Sequence, residues 1–266
     1  LIVGAMLAVA GGTYQGVFRN PLADPYLLGT AAGAGLGATI AIVGIGDGLS
    51  TPAWTPWLAF AGALVAVSLT WIVGARGSAA TLVLGGVAVS SLLTSAQTFL
   101  QQSSHSNSIA RVYIWLLGSL GGASWRGVVM TLPYVVVCVG VCVLAAPALD
   151  VMSVGDVESR SLGLPVERVR LVVVAAASLG TAAVVSAVGL VGFVGIVVPH
   201  IVRLLVGSSY RRILPISVLV GAAFLVLVDT LARTVVAPSE LPLGVVTALI
   251  GSPIFVLLLR ARRSVS

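Results

Sequence analysis

Residues 147–170 read PALDVMSVGDVESRSLGLPVERVR, and they hold seven of the chain's 22 formal charges: Asp150, Asp156, Glu158, Arg160, Glu167, Arg168 and Arg170. The other 242 residues share fifteen. A mixed-charge, amphipathic stretch of this length cannot lie in lipid, yet long apolar runs flank it on both sides. Its composition is that of a surface built to meet another protein. What surrounds it sets the fold class.

Hydrophobic residues make up 58% of the 266, charged residues only 8%, and the mean hydropathy is +1.14. Soluble domains carry about a quarter charged residues, so the chain is an all-α polytopic membrane protein, one transmembrane domain over residues 1–266. Thirty-one glycines fit that class, because small residues let membrane helices approach closely. The short alternating segments of a β-barrel are missing. Apolar runs long enough to span, roughly 17 to 25 residues, give nine candidates: 1–16, 27–45, 57–75, 79–100, 127–146, 170–190, 192–207, 213–232 and 242–259. Between them stand turn-rich linkers, NPLADP at 20–25, GDGLSTPAWTP at 46–56 and APSELP at 237–242.

Orientation comes from arginine alone, since the chain has no lysine. With alternating spans and the carboxyl terminus inside, one side holds Arg19, Arg76, Arg160, Arg168, Arg170, Arg203, Arg211, Arg212, Arg260, Arg262 and Arg263. The other holds Arg111, Arg126 and Arg233. Eleven against three is the bias of a multi-pass protein of the cytoplasmic (inner) membrane. It puts residues 147–170 and the carboxyl terminus in the cytoplasm. The net charge of +6 follows from the same bias and from anionic lipid, and calls for no nucleic acid. The first residue already lies in an apolar run with no basic segment before it, so residues 1–16 read as a span and not as a signal peptide.

Catalytic constellations are hard to find. The chain has no H-E-x-x-H, no G-x-S-x-G and no P-loop, and nothing that marks a metal or a bound cofactor. Cys138 and Cys142 sit one helical turn apart and read as packing residues. His105 lies in the polar stretch QQSSHSNS and reads as a solvated residue. His200 follows Pro199 at membrane depth, where it either satisfies a carbonyl freed by the proline or lies on a substrate path. In the fourth span Gly86, Ser90, Thr94, Gln97 and Gln101 recur at helical spacing and share one face. Leu82, Val89, Leu92, Leu93 and Phe99 are expected on the opposite side. Such a stripe either packs on a neighbouring helix or lines a watery path. Asp229 and Arg233 form an i,i+4 pair near the end of the eighth span, with Glu240 just beyond.

Several strings, in order, resemble one family. They are Gln15 with Arg19-Asn20-Pro21-Leu22-Ala23-Asp24-Pro25; Trp115-x-x-Gly118-Ser119-Leu120; Val154-Gly155-Asp156 with Ser161-Leu162-Gly163; Gly192-Phe193-Val194-Gly195 leading to Pro199-His200-Ile201-x-Arg203; Asp229-Thr230-x-Ala232-Arg233; and Glu240-Leu241-Pro242-x-Gly244 with Gly251-x-Pro253. Together they resemble the permease subunits of binding-protein-dependent importers for ferric siderophores, haem and cobalamin, the type II ABC importers.

The resemblance implies a ten-helix permease bundle, with the family's first helix expected ahead of Leu1. It implies a homodimer in lipid, two cytoplasmic ABC ATPase subunits that bind ATP and magnesium, and an external solute-binding protein. Leu149, Gly155, Asp156, Glu158, Arg160, Ser161, Leu162 and Gly163 are then the ATPase-coupling residues. Gly155 and Gly163 are expected where two short helices turn at the membrane surface. The stripe from Gly86 to Gln101 falls on the pathway-lining span, Trp115–Leu120 on a short external helix, and Arg233 with Glu240 on the surface that docks the binding protein. The leading expectation for cargo is a ferric siderophore or another iron chelate; haem and cobalamin are the alternatives. An intramembrane enzyme using His200 and Ser90, or an ion-coupled transporter, is the remote reading.

Overall fold

The computed structural model describes residues 1–45, 52–74 and 79–263, and side chains at all of these except 45 and 257–263. Arg76, most of the 46–56 linker, and the side chains of Arg260, Arg262 and Arg263 therefore lie outside the described residues. Twelve α-helices follow one another: α1 Ile2–Phe18, α2 Thr30–Ile40, α3 Thr55–Gly74, α4 Ala79–Gln102, α5 Ser106–Leu116, α6 Trp125–Leu144, α7 Ala146–Met152, α8 Asp156–Ser161, α9 Val166–Val188, α10 Val194–Val206, α11 Tyr210–Thr234 and α12 Leu243–Arg263. A π-helical turn, Ala41–Ile45, extends α2.

Each of the nine apolar runs becomes a helix, and five of them are long and apolar enough to cross a membrane alone. α1, α2 with its π turn, α10 and the described apolar part of α12 are shorter. The remaining helices are α5, α7 and α8. One expectation shifts: the short helix near Trp115–Leu120 is α5, nine residues further back at its start, and Gly118 at φ +70° follows its end. A helix opening on Ser-Asn-Ser looks like loop in sequence, which hid it.

α1 is apolar around its whole circumference and is buried from Val3 to Val17. A helix without a polar face belongs in the centre, and α6, α9, α10 and α11 pack around it. Hydrophobic transfer does not drive that packing in lipid; close van der Waals contact does. At Gly4 a side chain would meet the Gly221 carbonyl of α11, and Gly11 meets Gly195 of α10 in the same way. A second seam joins α2 to α3 through Ala34, Ala38, Ala59 and Ala63. Cys138 and Cys142 are free and buried on α6, as packing residues should be.

The bundle has two chemically different ends. At one, the last residue of α1, the pair α7–α8, and the starts of α9 and α11 meet, which gathers Arg19, Arg160, Arg170, Arg203 and Arg211. At the other, the end of α9, the segment after α5 and the start of α12 meet below Arg233 and Glu240.

Candidate functional site

The basic end is organised by two aspartates, one on each short helix. α7 opens on Ala146-Pro147, and proline is preorganised for a first turn. It then buries Ala146, Leu149 and Met152. The Asp150 carboxylate accepts from Ser209 Oγ at 2.8 Å and from the Tyr210 amide at 2.5 Å, which caps the start of α11. α8 begins after Gly155, whose φ of +134° few side chains tolerate. Its first turn carries Asp156 and Glu158 and its last carries Arg160, each sign matched to the helix dipole. The Gly163 amide donates to the Arg160 carbonyl and the Leu164 amide to the Ser159 carbonyl, a Schellman close with Gly163 at φ +84°. Both glycines thus stand where sharp turns were expected.

Asp156 is held by two arginines from different helices. Arg19 Nη2, just past α1, lies 3.1 Å from Oδ1, and Arg170 Nη2, on α9, donates to Oδ2 at 2.7 Å. Burial alone would raise the Asp156 carboxyl. The Arg170 guanidinium, by hydrogen bond and charge, with Arg19 and Arg160 behind it, holds it below the usual aspartate range. The group therefore stays ionised at neutral pH.

Not every residue expected to couple is at the surface. Leu149 is fully buried and Gly155 is buried, so neither can touch a partner; they anchor and turn the element. Glu158, Arg160, Ser161, Leu162 and Gly163 are exposed, with Arg160 paired to Glu167. Val154, read in the sequence only as part of the string Val154-Gly155-Asp156, and Val157, which the sequence does not single out, are 61% and 73% exposed, and Leu162 is 70% exposed. Isolated apolar residues within a charged segment were the available signal. Asp150 and Arg170 entered only as charges, and Arg19 only as a charge and as the first residue of the string Arg19–Pro25.

The α4 stripe needs correcting. Leu82, Val89 and Leu93 share the buried face with Gly86 and Gln97, while Leu92 and Phe99 alone of the expected set point away, at 64% and 72% exposure. Gly86 packs on the Leu27 backbone and Gln97 beside Gly35 of α2. Ser90 and Gln101 are half-buried and Thr94 is exposed. The polar residues thus run along the border of the packed face, because α2 and α3 approach α4 from one flank. His200 is half-buried on α10.

At the opposite end Arg233 Nε donates to Asp229 Oδ2 at 3.0 Å, and Nη1 reaches Glu240 Oε1 at 3.5 Å. The segment after α5 is sewn to this end by backbone hydrogen bonds. Ser119 N donates to Val188 O (2.8 Å), Leu243 N to Gly118 O (3.0 Å) and Gly244 N to Leu117 O (2.9 Å). Beside that seam lies an open cleft of about 620 Å³, lined by Tyr26, Leu117, Leu190, Val245 and Ser252 among others. Tyr26 reaches it because the 20–25 linker folds inward: its hydroxyl both donates to the Val191 carbonyl and accepts from the Val191 amide, at 3.0 Å each. Among the described residues, no three His, Cys, Asp or Glu side chains gather as metal ligands would.

This architecture, a small-residue bundle with two short charged helices at one end, has a match over nearly the whole chain. The model of the FecCD transport family covers residues 1–261. The chain belongs to the FecCD transport family. It is 44% identical to the cobalamin import system permease protein BtuC of Halobacterium salinarum, over 98% of this chain and 70% of that one. It is 40% identical to the vitamin B12 import system permease protein BtuC of Escherichia coli, over 99% and 81%, and 37% identical to the ABC transporter permease protein YvrB of Bacillus subtilis, over 97% and 74%. A solved metal-chelate type ABC transporter in an inward-facing conformation superposes with a TM-score of 0.91 at 29% identity, over 98% of this chain and 83% of that one. The structure of PsaBC from Streptococcus pneumoniae, at 16% identity and a TM-score of 0.65, shares the fold.

This FecCD-family chain is thus a multi-pass membrane permease with the type II importer bundle, as the ordered motifs implied. Its relatives are transport permeases, and the enzyme reading finds no support among them.

Proposed function

We propose that this permease is the membrane subunit of an ATP-driven, binding-protein-dependent importer, and that its cargo is a corrinoid of the cobalamin type. The observation that carries the importer reading is the exposure of three apolar side chains, Val154, Val157 and Leu162, on and flanking α8, interspersed along the chain with the exposed Glu158 and Arg160. Exposed apolar residues inside a charged rim are the anatomy of a protein-binding surface. The chain carries no P-loop of its own, so a cytoplasmic ATPase seated on those side chains supplies the power. The basic end is then cytoplasmic, in keeping with the arginine bias, and the carboxyl terminus lies on that side. The end bearing Asp229, Arg233 and Glu240 faces outward and receives the solute-binding protein. Two copies enclose the pathway, with the Ser90–Gln101 border of α4 along it.

For cargo, the earlier expectation of a ferric siderophore gives way to its alternative. Identity of 40–44% over nearly the whole chain is to permeases named for cobalamin, from an archaeon and a bacterium. The metal-chelate transporter stands at 29%.

Reconstituted uptake tests both halves. With its ATPase and binding protein in liposomes, the permease is expected to accumulate labelled cyanocobalamin only with ATP. Excess unlabelled cyanocobalamin should suppress uptake, and ferrichrome or haemin should not. Accumulation of ferrichrome or haemin instead would return the cargo to the iron chelates.

A further inference from the structure

The two short helices are attached to the bundle in different ways. α7 is embedded: Leu149 and Met152 lie in the core and Asp150 caps α11. α8 buries one residue, Ser159, whose single hydroxyl proton is shared between the Val151 carbonyl of α7 and the Gly155 carbonyl, which ties α8 to the end of α7 and to the turn between them. Among the described residues, three ion pairs join α8 to α9 and to the residue that follows α1. Arg160–Glu167 is exposed on both sides, 55% and 64%, and a pair in water contributes little. The Asp156 cluster is better shielded, with the Arg170 side chain 7% exposed, Asp156 24% and Arg19 39%. Breaking a pair of that kind costs far more.

The two oxygens of Asp156 go to two helices. Oδ1 faces Arg19 at the end of α1, the central helix, and Oδ2 takes Arg170 of α9. α9 then runs unbroken for 23 residues to Val188, whose carbonyl holds the Ser119 amide at the opposite end. We propose that Asp156 is the joint that delivers a displacement of α8 to α1 and α9 together, with Arg19 and Arg170 as its positioning residues. This rests on the reading of α8 as the ATPase-docking element. α7 is the fixed side of the joint and α8 the driven side. A push on α8 that broke the Asp156 cluster would move α8 alone and leave the bundle where it was.

The test uses the assembled permease–ATPase complex, with spin labels at Ser161 on α8 and Val172 on α9, both exposed. In the wild type the distance between them should keep one narrow distribution with or without ATP, because the two helices move as a unit. Asp156→Asn alone would strand Arg170, so the variant is Asp156→Asn with Arg170→Gln. In that protein the distance is expected to change when ATP is added. Cyanocobalamin moved per ATP hydrolysed should fall roughly tenfold while hydrolysis continues, a factor within the usual range of a coupling interaction. Arg19→Gln, which removes one of the two contacts, should lose less. An unchanged distance with wild-type transport per ATP overturns the proposal. So does a variant that no longer co-purifies with the ATPase, since Asp156 would then be a docking contact. If the wild-type complex itself shows no ATP-driven transport, the importer reading fails, a result separate from these.

Discussion

Gly118 and Gly189 face each other across the seam at the carboxyl-terminal end of α9, both at positive φ, +70° and +78°. A side chain on Gly189 would fall on the Trp115 carbonyl and come within 2.9 Å of the Gly118 Cα. Gly163 shares the backbone conformation, φ +84°, but nothing lies within 4 Å of where its side chain would go. The two positions separate strain from collision. Gly163→Ala is expected to cost only the left-handed backbone penalty, about 1–2 kcal/mol. Gly189→Ala adds a collision with rigid backbone, of the order of a further 1–3 kcal/mol. Thermal unfolding of the purified protein in detergent should show Gly189→Ala melting well below Gly163→Ala. Equal melting temperatures would mean the seam is looser than its hydrogen bonds indicate. Gly155 and Gly163 could be read in advance because they stand in the family's ordered strings and a turn is a local demand. The Gly189 contact could not, since it depends on where a distant segment comes to rest.

At the scale of elements, the nine apolar runs were legible because length and composition are properties of the run itself. Two errors have a common cause. The α4 stripe was assigned a face by periodicity, but periodicity cannot say from which flank α2 and α3 approach, so Leu82, Val89 and Leu93 were put on the wrong side. α5 was looked for at Trp115–Leu120 because its own first turn is polar. Arg19 and Arg170 gave no local sign that they share one carboxylate; only the return of α9 beside the end of α1 brings them together. The end of α11 is where an element-level prediction belongs. Arg233 is held between Asp229 and Glu240 yet its side chain is 39% exposed, so it presents positive charge in a fixed place. Arg233→Glu reverses that charge beside two carboxylates. Binding of the solute-binding protein is expected to weaken roughly tenfold at low salt, with the difference shrinking as salt screens it. The same dissociation constant for both proteins at low salt would place the docking surface elsewhere.

For the molecule as a whole, the account makes a division of labour. Under the proposed function the bundle supplies a passage through lipid, one end receives a loaded binding protein, and the other end receives force. The proposed entry point for that force is small enough to destroy with two substitutions. Val157 and Leu162 are exposed and remote from the core, so Val157→Glu with Leu162→Glu should leave the bundle folded. It should remove the apolar centre of the proposed interface, where the few residues that dominate binding are found. The measurement is co-purification of the permease with its ATPase, wild type against this double variant, with thermal unfolding as the control for the fold. The account predicts a stable wild-type complex and loss of the ATPase from a variant that still unfolds at the wild-type temperature. A variant that is equally stable and still retains its ATPase would contradict the claim that power enters the permease through α8.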